Sequence, residues 1–480
     1  MTLLHRIITL PILAALTLPV AAEILGNGRH IANIEKSLRP AQALAGAPIP
    51  LSSLEGEMRR LRVPGLSIAV IDDGRLAWAK GYGVVRPGGG PVTTETLFQA
   101  ASISKPVAAF GAMTLVQSGT VNLSSDVNDY LRGWKLPQAL GEDQVSVLQL
   151  LSHTGGLNVS GFPGYAAGKP VPTILQILDG SAPATTAPIR VESPPNSAWR
   201  YSGGGYTVLQ QLMIDTSGQS FGTFMKSNVL APLGMRSSNF SQPASAAVLK
   251  KAALPHDSTG KPYVGGPSTY PELAAAGMWT TPSDLARFII GVQASTAGRS
   301  KVLNEANART MLTPVSNDYA LGFEIAGSGA ATSFSHGGSN RGYQNYLFGY
   351  VNGGRGAVVM TNGDAGDEVA RAVMRAIAFE YKWPSYQVVM RKAIPVDAKM
   401  AQQMIGKYAI AGLGDFDITL QDGQPMFWIK AGQGERLYRQ SESSFFVLSQ
   451  KLELRFDTLP GNTGRIIAGP FDVPFDRVPL

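Results

Sequence analysis

Strand patterns stand at both ends of a long helical stretch, and this limits the folds open to the chain. Near the start, "LSIAVIDDGRLAWAKGYG" (66–83) holds two apolar runs joined at Asp73-Gly74, a favoured two-residue hairpin turn. Strand patterns return at 319–363 in "YALGFEIA", "ATSFSHGG", "YQNYLFGYV" and "RGAVVMTNG", with a turn at Asn352-Gly353-Gly354. Helical patterns fill the interval. One runs from Ser102 to Ser118 and stops at Gly119; others are "VSVLQLLSHTGGL", "SGGGYTVLQQLMIDTSG" and "TPSDLARFIIGV", the last with cap chemistry at Thr281-Pro282-Ser283-Asp284. A further helix, "DEVARAVMRAIAFEYK", follows the last strand. The expected architecture is an α/β (α+β) domain: one antiparallel sheet assembled from both ends, flanked by helices, with a helical insertion.

The 480 residues are about three times a usual domain length, so more than one domain is expected. After Trp383-Pro384 the texture changes to short strands with turn signals every ten residues or so, including Asp422-Gly423. Residues 396–480 read as a separate antiparallel sheet or barrel. Residues 51–385 form the main domain, and the Ala/Pro-rich 23–50 read as a loosely packed lead-in. The first residues, "MTLLHRIITLPILAALTLPVAAE", combine Arg6, an apolar run and small residues before Ala22. They read as a secretory signal, residues 1–22, so the mature protein is expected to be secreted into the periplasm without a stable membrane anchor. There are no cysteines, which excludes disulfides, thiolate zinc sites, a cysteine nucleophile and a lipid-anchored export route. The net charge of +7 is a weak bias over this length, and the basic run Arg59-Arg60-Leu61-Arg62 lies in a helical pattern, which argues against nucleic acid as a partner.

Three short stretches carry chemistry. Ser102 and Lys105 are one helical turn apart, so a neutral amine there could take the hydroxyl proton. Burial is what would make that lysine neutral. The helix start also offers free backbone N–H groups to an oxyanion. By chance alone a chain this long holds roughly one or two S-x-x-K tetrads, and Ser258–Lys261, in a Pro/Gly loop, reads as such a surface example. "WRYSGGGYTVL" places Tyr201 before a glycine turn and a helix, where a phenol can relay a proton. In "FSHGGSNRGYQNYL", His336-Gly337-Gly338 ends a strand pattern, with glycines where a ligand can approach.

In this order, the three stretches resemble the serine β-lactamase and penicillin-binding-protein-like superfamily, especially its class C-like branch of β-lactamases, D-aminopeptidases and esterases. "VPGLSIAV", "LFQAASISK", "LLSHTGGL" and "AAGMWTTPSDLARF" look like that branch as well. The tail is similar to the small lipocalin-like β-domains attached to many such proteins. The resemblance implies Ser102 as acylated nucleophile, with Lys105 and Tyr201 sharing the base and acid work. It implies an oxyanion hole from the backbone N–H groups of Ser102 and Ser339, beside Gly337 and Gly338. His336 would hold the substrate and the proton network, and Arg341 would bind a substrate carboxylate or stay at the surface. No cofactor or metal is implied. The partner is a small-molecule or peptide acyl donor, cell-wall-derived donors included.

Two departures shape the expected activity. Gly203 stands where the pattern Y-x-N has Asn, and His336 stands where many members have Lys. Both favour an exported esterase or D-amino-acid peptidase over an efficient β-lactamase, with a class C-like β-lactamase or a weak penicillin-binding sensor as alternatives. Rival nucleophile readings are weaker. Gly218–Gly222 matches G-x-S-x-G around Ser220, but a helix precedes it where a nucleophile elbow needs a strand. His153 reads as a helix-end hydrogen-bonding residue.

Overall fold

In the computed structural model, which describes residues 18–137, 144–410, 414–429, 434–449, 451–458, 461–468 and 471–479, the early hairpin is strand β1 (Gly65–Asp72) and strand β2 (Arg75–Gly83). Asp73 and Gly74 both have positive φ, 50° and 70°, as the tight turn between twisted strands requires. β1 is buried at every position except Asp72, so it is covered on both faces and its apolar run needs no alternation. The returning strands are β3 (Glu324–Ala326), β4 (Ser333–Asn340), β5 (Tyr343–Tyr350) and β6 (Gly356–Thr361). The sheet order is β2-β1-β6-β5-β4-β3, antiparallel throughout. β1 pairs with β6, Ile68 opposite Val359, so the two ends of the domain meet in the middle of one sheet.

Two strand expectations change in detail. The run "YALGFEIA" is a strand only over Glu324–Ala326; Tyr319 sits in a turn closed by its N–H donating to Ser316 O. His336-Gly337-Gly338 does not end its strand either. The ladder to β5 continues through Asn340 opposite Tyr343, and the chain turns at Arg341-Gly342. β3 pairs only with Ser333–Ser335 of β4, so β4 has no strand neighbour on that side from His336 onward among the described residues.

Between the two strand sets lie α1 (Ser104–Gln117), α2 (Val147–Ser152), α3 (Gly203–Ser217), α4 (Leu273–Ala276) and α5 (Pro282–Thr296). α1 is buried around most of its circumference, from Ser104 to Met113, which marks a helix inside the core. α5 packs across β1, β2, β5 and β6, with Phe288 against Phe110 of α1 and Phe323. A 3-10 turn, Ala101–Ile103, leads into α1 and packs on β4. The approach is close: a Cβ on Gly338 would lie 2.2 Å from Ala100 O.

The contact pattern divides the chain into two units, one holding residues up to Ile31 with Glu55–Arg371, the other Ala32–Leu54 with Ala372 onward. Residues 1–17, most of the expected signal, lie outside the described residues. The lead-in is more ordered than its composition suggests. A helix covers Leu18–Lys36, and Gln42–Leu44 pairs in parallel with Val389–Arg391. Ile34, Leu38 and Ala43 are buried, and the partner strand lies far along the chain. Nine antiparallel strands between Gly406 and Arg477 form the tail sheet. Its two edge strands, Glu435–Arg436 and Tyr438–Arg439, are separated only by Leu437, so the sheet curls into a nearly closed barrel. Tyr408, Phe416, Phe427, Phe445, Phe456 and Phe475 fill it.

Glu272, just before α4, is fully buried, and neither carboxylate oxygen has a hydrogen-bond partner among the described residues. Burial pushes its pKa up from 4.5 to about 7. The raised folded-state value means that its contribution to stability is complete below about pH 4.5 and lost as pH rises through about 7. Between pH 4.5 and 7.5, Glu272→Gln should therefore gain on the wild type by about 3 kcal/mol, read by denaturant melts at each pH. A constant difference across that range would contradict it. Gly338→Ala should cost about 1–3 kcal/mol because strand and turn must part. An unchanged melting temperature would contradict the close approach.

Candidate active site

The turn at Ala101–Ile103 sets the position of Ser102. Ala101 has φ of 52°, a left-handed conformation uncommon for a residue with a Cβ, so the backbone just before the serine is held in strain. Ser102 is half-buried and lies in the 3-10 turn, two residues before α1 begins. In that turn, residues three apart stack, which carries Lys105 beneath it. Lys105 Nζ is 3.1 Å from Ser102 Oγ and donates to Ala275 O at 2.8 Å. The Glu272 carbonyl, accepting from the Ala275 and Ala276 N–H groups, closes the turn that presents Ala275. The lysine is 2% exposed, and burial lowers its pKa from 10.5 to about 7. Ser104 plays a different part: its hydroxyl accepts from the Met278 N–H and ties α1 to the following segment.

Tyr201 comes from the start of α3. Ser202 caps that helix, accepting from the Gly205 N–H and donating to Asn158 O. The Lys105 ammonium position lies 4.9 Å from the Tyr201 ring centroid and 5.8 Å from that of Tyr206. Burial raises the Tyr201 pKa, with a hydrogen bond to Ser102 opposing this in part. The phenol is therefore neutral at physiological pH.

His336 completes the group from β4. Its Nδ1 donates to Gly337 O at 2.5 Å, which leaves Nε2 as acceptor for the Tyr319 hydroxyl at 3.2 Å. Burial, together with the Lys105 charge, pulls its pKa down to about 3, so the ring stays neutral. His336 and Tyr201 rings lie 6.1 Å apart. Two further residues belong here that sequence reading did not place in the site. Tyr319 anchors His336 from a turn that the sequence pattern marks as the start of a strand. His153, in the left-handed cap of α2, accepts at Nδ1 from the Ser202 N–H and packs at a tilt against Tyr201 with centroids 4.4 Å apart. Its helix-end hydrogen bond was legible; its contact with Tyr201 was not.

The remaining candidates fall differently. Gly337 is open, whereas Gly338 lies tight against Ala100 O. Ser339 is exposed and accepts from Gln344 Nε2. The Arg341 guanidinium lies 4.0 Å from the Tyr263 ring centroid, and its N–H donates to the Tyr270 hydroxyl. No contact among the described residues joins it to Ser102, Lys105, Tyr201 or His336. Ser220 caps a five-residue helix, accepting from the Thr223 N–H, and follows a helix rather than a strand. Ser258 and Lys261 are both exposed around a turn organised by Asp257.

A β-lactamase family model matches residues 52–381. Penicillin-binding protein 4* of Bacillus subtilis is 23% identical over 396 residues, 76% of this chain and 84% of that protein. Esterase EstB of Burkholderia gladioli is 27% identical over 294 residues, 52% of this chain and 71% of its own length. Among solved structures, the octameric penicillin-binding protein homologue from Pyrococcus abyssi superposes with a TM-score of 0.60 at 21% identity, covering 88% of this chain and 99% of that one. The match spans the whole six-stranded sheet, the helices between its halves and Ser102, Lys105, Tyr201 and His336, and the chain belongs to the β-lactamase family, a serine-hydrolase superfamily with penicillin-binding proteins and esterases among its members.

Proposed function

We propose that this chain is an exported serine hydrolase that forms an acyl-enzyme on Ser102, of esterase or D-amino-acid peptidase type. The observation that carries the reading is a buried amine, half neutral near pH 7, within hydrogen-bond distance of the serine hydroxyl. As Ser102 Oγ attacks the acyl carbon, neutral Lys105 takes its proton. The resulting ammonium faces the rings of Tyr201 and Tyr206, which stabilise it without a counter-charge. Backbone N–H groups of Ser102 and Ser339 receive the oxyanion. Tyr201, a neutral phenol, gives its proton to the departing alkoxide or amine and regains one from Lys105. Water then repeats the sequence on the acyl-enzyme and frees Ser102.

The similarity to esterase EstB supports the ester reading. So does the neutral state of His336, which leaves no fixed positive charge at that position. The apolar N-terminal run before Ala22 supports export. A second reading, a penicillin-binding sensor that is acylated but turns over slowly, draws on the similarity to penicillin-binding protein 4*.

Ser102→Ala should reduce aryl-ester hydrolysis at least about 10³-fold while leaving thermal unfolding in place. Turnover at the wild-type rate would end the assignment. Because the base must be unprotonated, kcat/KM should rise with pH through an apparent value of about 7. Lys105→Arg, which holds its charge at every working pH, should remove both that rise and most of the activity. A flat wild-type profile between pH 5.5 and 8.5 would contradict Lys105 as base.

A further inference from the structure

Between the strand that carries Ser339 and the turn that carries Ser102 lies a set of buried amides that the reaction above does not use. Gln99, three residues before Ser102, is fully buried, and Asn340 and Asn345 are nearly so. Gln99 Nε2 donates to Ser268 O at 2.7 Å. Its Oε1 accepts from Asn340 Nδ2 at 2.8 Å, and its backbone carbonyl accepts from Asn345 Nδ2 at 2.8 Å. Asn340 Nδ2 also donates to Ala276 O at 3.2 Å, one residue beyond the carbonyl that receives Lys105. The Asn340 side chain thus joins three parts of the site: β4, the segment leading to the serine, and α4.

These bonds act where sheet and turn come closest. Gly338 and Asn340 are two residues apart on β4 and so share a face, with Ser339 between them. A Cβ on Gly338 would lie 2.2 Å from Ala100 O, so the strand already rests against the turn and cannot come nearer. A contact of this kind does not stop the strand from moving away. The bonds from Asn340 do, and they pull on a fixed segment: the Ala100 N–H donates to Met278 O at 2.8 Å, and Gln99 pairs with Trp279. An apolar side chain at 340 could fill the same space and still slide. Buried amide hydrogen bonds are directional and costly to break, so they fix a distance.

We propose that Asn340 is a positioning residue for the oxyanion hole: by tying β4 to Gln99 and to the Ala276 carbonyl, it sets the separation of the Ser102 and Ser339 N–H groups and so the rate of acylation. This rests on the acyl-enzyme reading of Ser102. Such a hole works only with its donors about 2.7–3.1 Å from the oxygen that becomes negative. A misplacement of about 1 Å can cost about 100-fold in rate. Gly338 limits the approach of the two donors and Asn340 limits their parting.

The test compares 4-nitrophenyl butanoate with its thiono analogue, in which sulfur replaces the carbonyl oxygen, on the full chain. Sulfur is larger and a weaker hydrogen-bond acceptor, so the thionoester draws little on the oxyanion hole. The wild type should prefer the oxygen ester at least about 100-fold in kcat/KM. Asn340→Leu, which keeps the volume and removes the donor, should lower kcat/KM for the oxygen ester at least about tenfold and leave the thionoester within about threefold, so the ratio collapses. Gln99→Met, which removes the acceptor and leaves Asn340 in place, should move the ratio in the same direction and serves if Asn340→Leu does not fold. A wild-type ratio near one, or a folded variant in which both esters slow together, overturns the proposal. Loss of folding in both variants also overturns it, because the amides would then hold the fold and not the hole. Ser102→Ala is run in parallel: hydrolysis that persists in it, or no hydrolysis of either ester by the wild type, overturns the acyl-enzyme reading itself, whatever the ratio.

Discussion

The burial of one lysine governs this site. An ammonium in water would be a poor base for a serine hydroxyl, and Lys105 becomes useful only because the fold keeps water from it. The neutral amine needs little: one carbonyl to donate to, Ala275 O, and one hydroxyl to receive from, Ser102. Around it the protein places rings in preference to carboxylates. Tyr201 and Tyr206 face Nζ, and His153 and Tyr319 pack behind them. A nearby carboxylate would hold the lysine charged. The rings keep it dry and still stabilise the charge that appears when the proton moves.

The architecture exists to bring three distant stretches to that amine. The 3-10 turn and α1 deliver the serine and lysine together. α3, capped by Ser202, delivers Tyr201. β4 delivers His336 from a strand whose edge beyond Ser335 carries no further strand among the described residues, and Gly338 lets that edge press against the turn holding Ser102. The hydrogen bonds that orient these groups come mostly from backbone: Gly337 O for His336, Ala275 O for Lys105, the Ser202 N–H for His153. The elements beneath the site, β1, β6 and α1, are buried along almost their whole length.

Much of this was legible in the sequence because it is written locally. The Asp73-Gly74 hairpin, the returning strands and the cap at Thr281 each depend on a few adjacent residues. The spacing of Ser102 and Lys105 needs only one turn to bring them together. What sequence reading missed depends on chain segments meeting in space. Tyr319 reaches His336 from a turn, although the run at 319–326 reads as a strand. Glu272 looks like an ordinary loop acid until the structure buries it. Phe162 is one apolar residue in a Gly/Pro loop until the structure sets its ring against Gly203. The loose-looking segment at 23–50 gains its order from a strand near residue 390.

The central claim is that Lys105 titrates near neutrality in the resting protein. A direct measurement is NMR titration of the lysine side chains, labelled with 13C at Cε, with the Lys105 signal assigned by its loss in Lys105→Arg. A midpoint near pH 7, well separated from the other lysines, is the predicted result. A Lys105 midpoint at or above 10, with the rest of the surface lysines, would contradict the account.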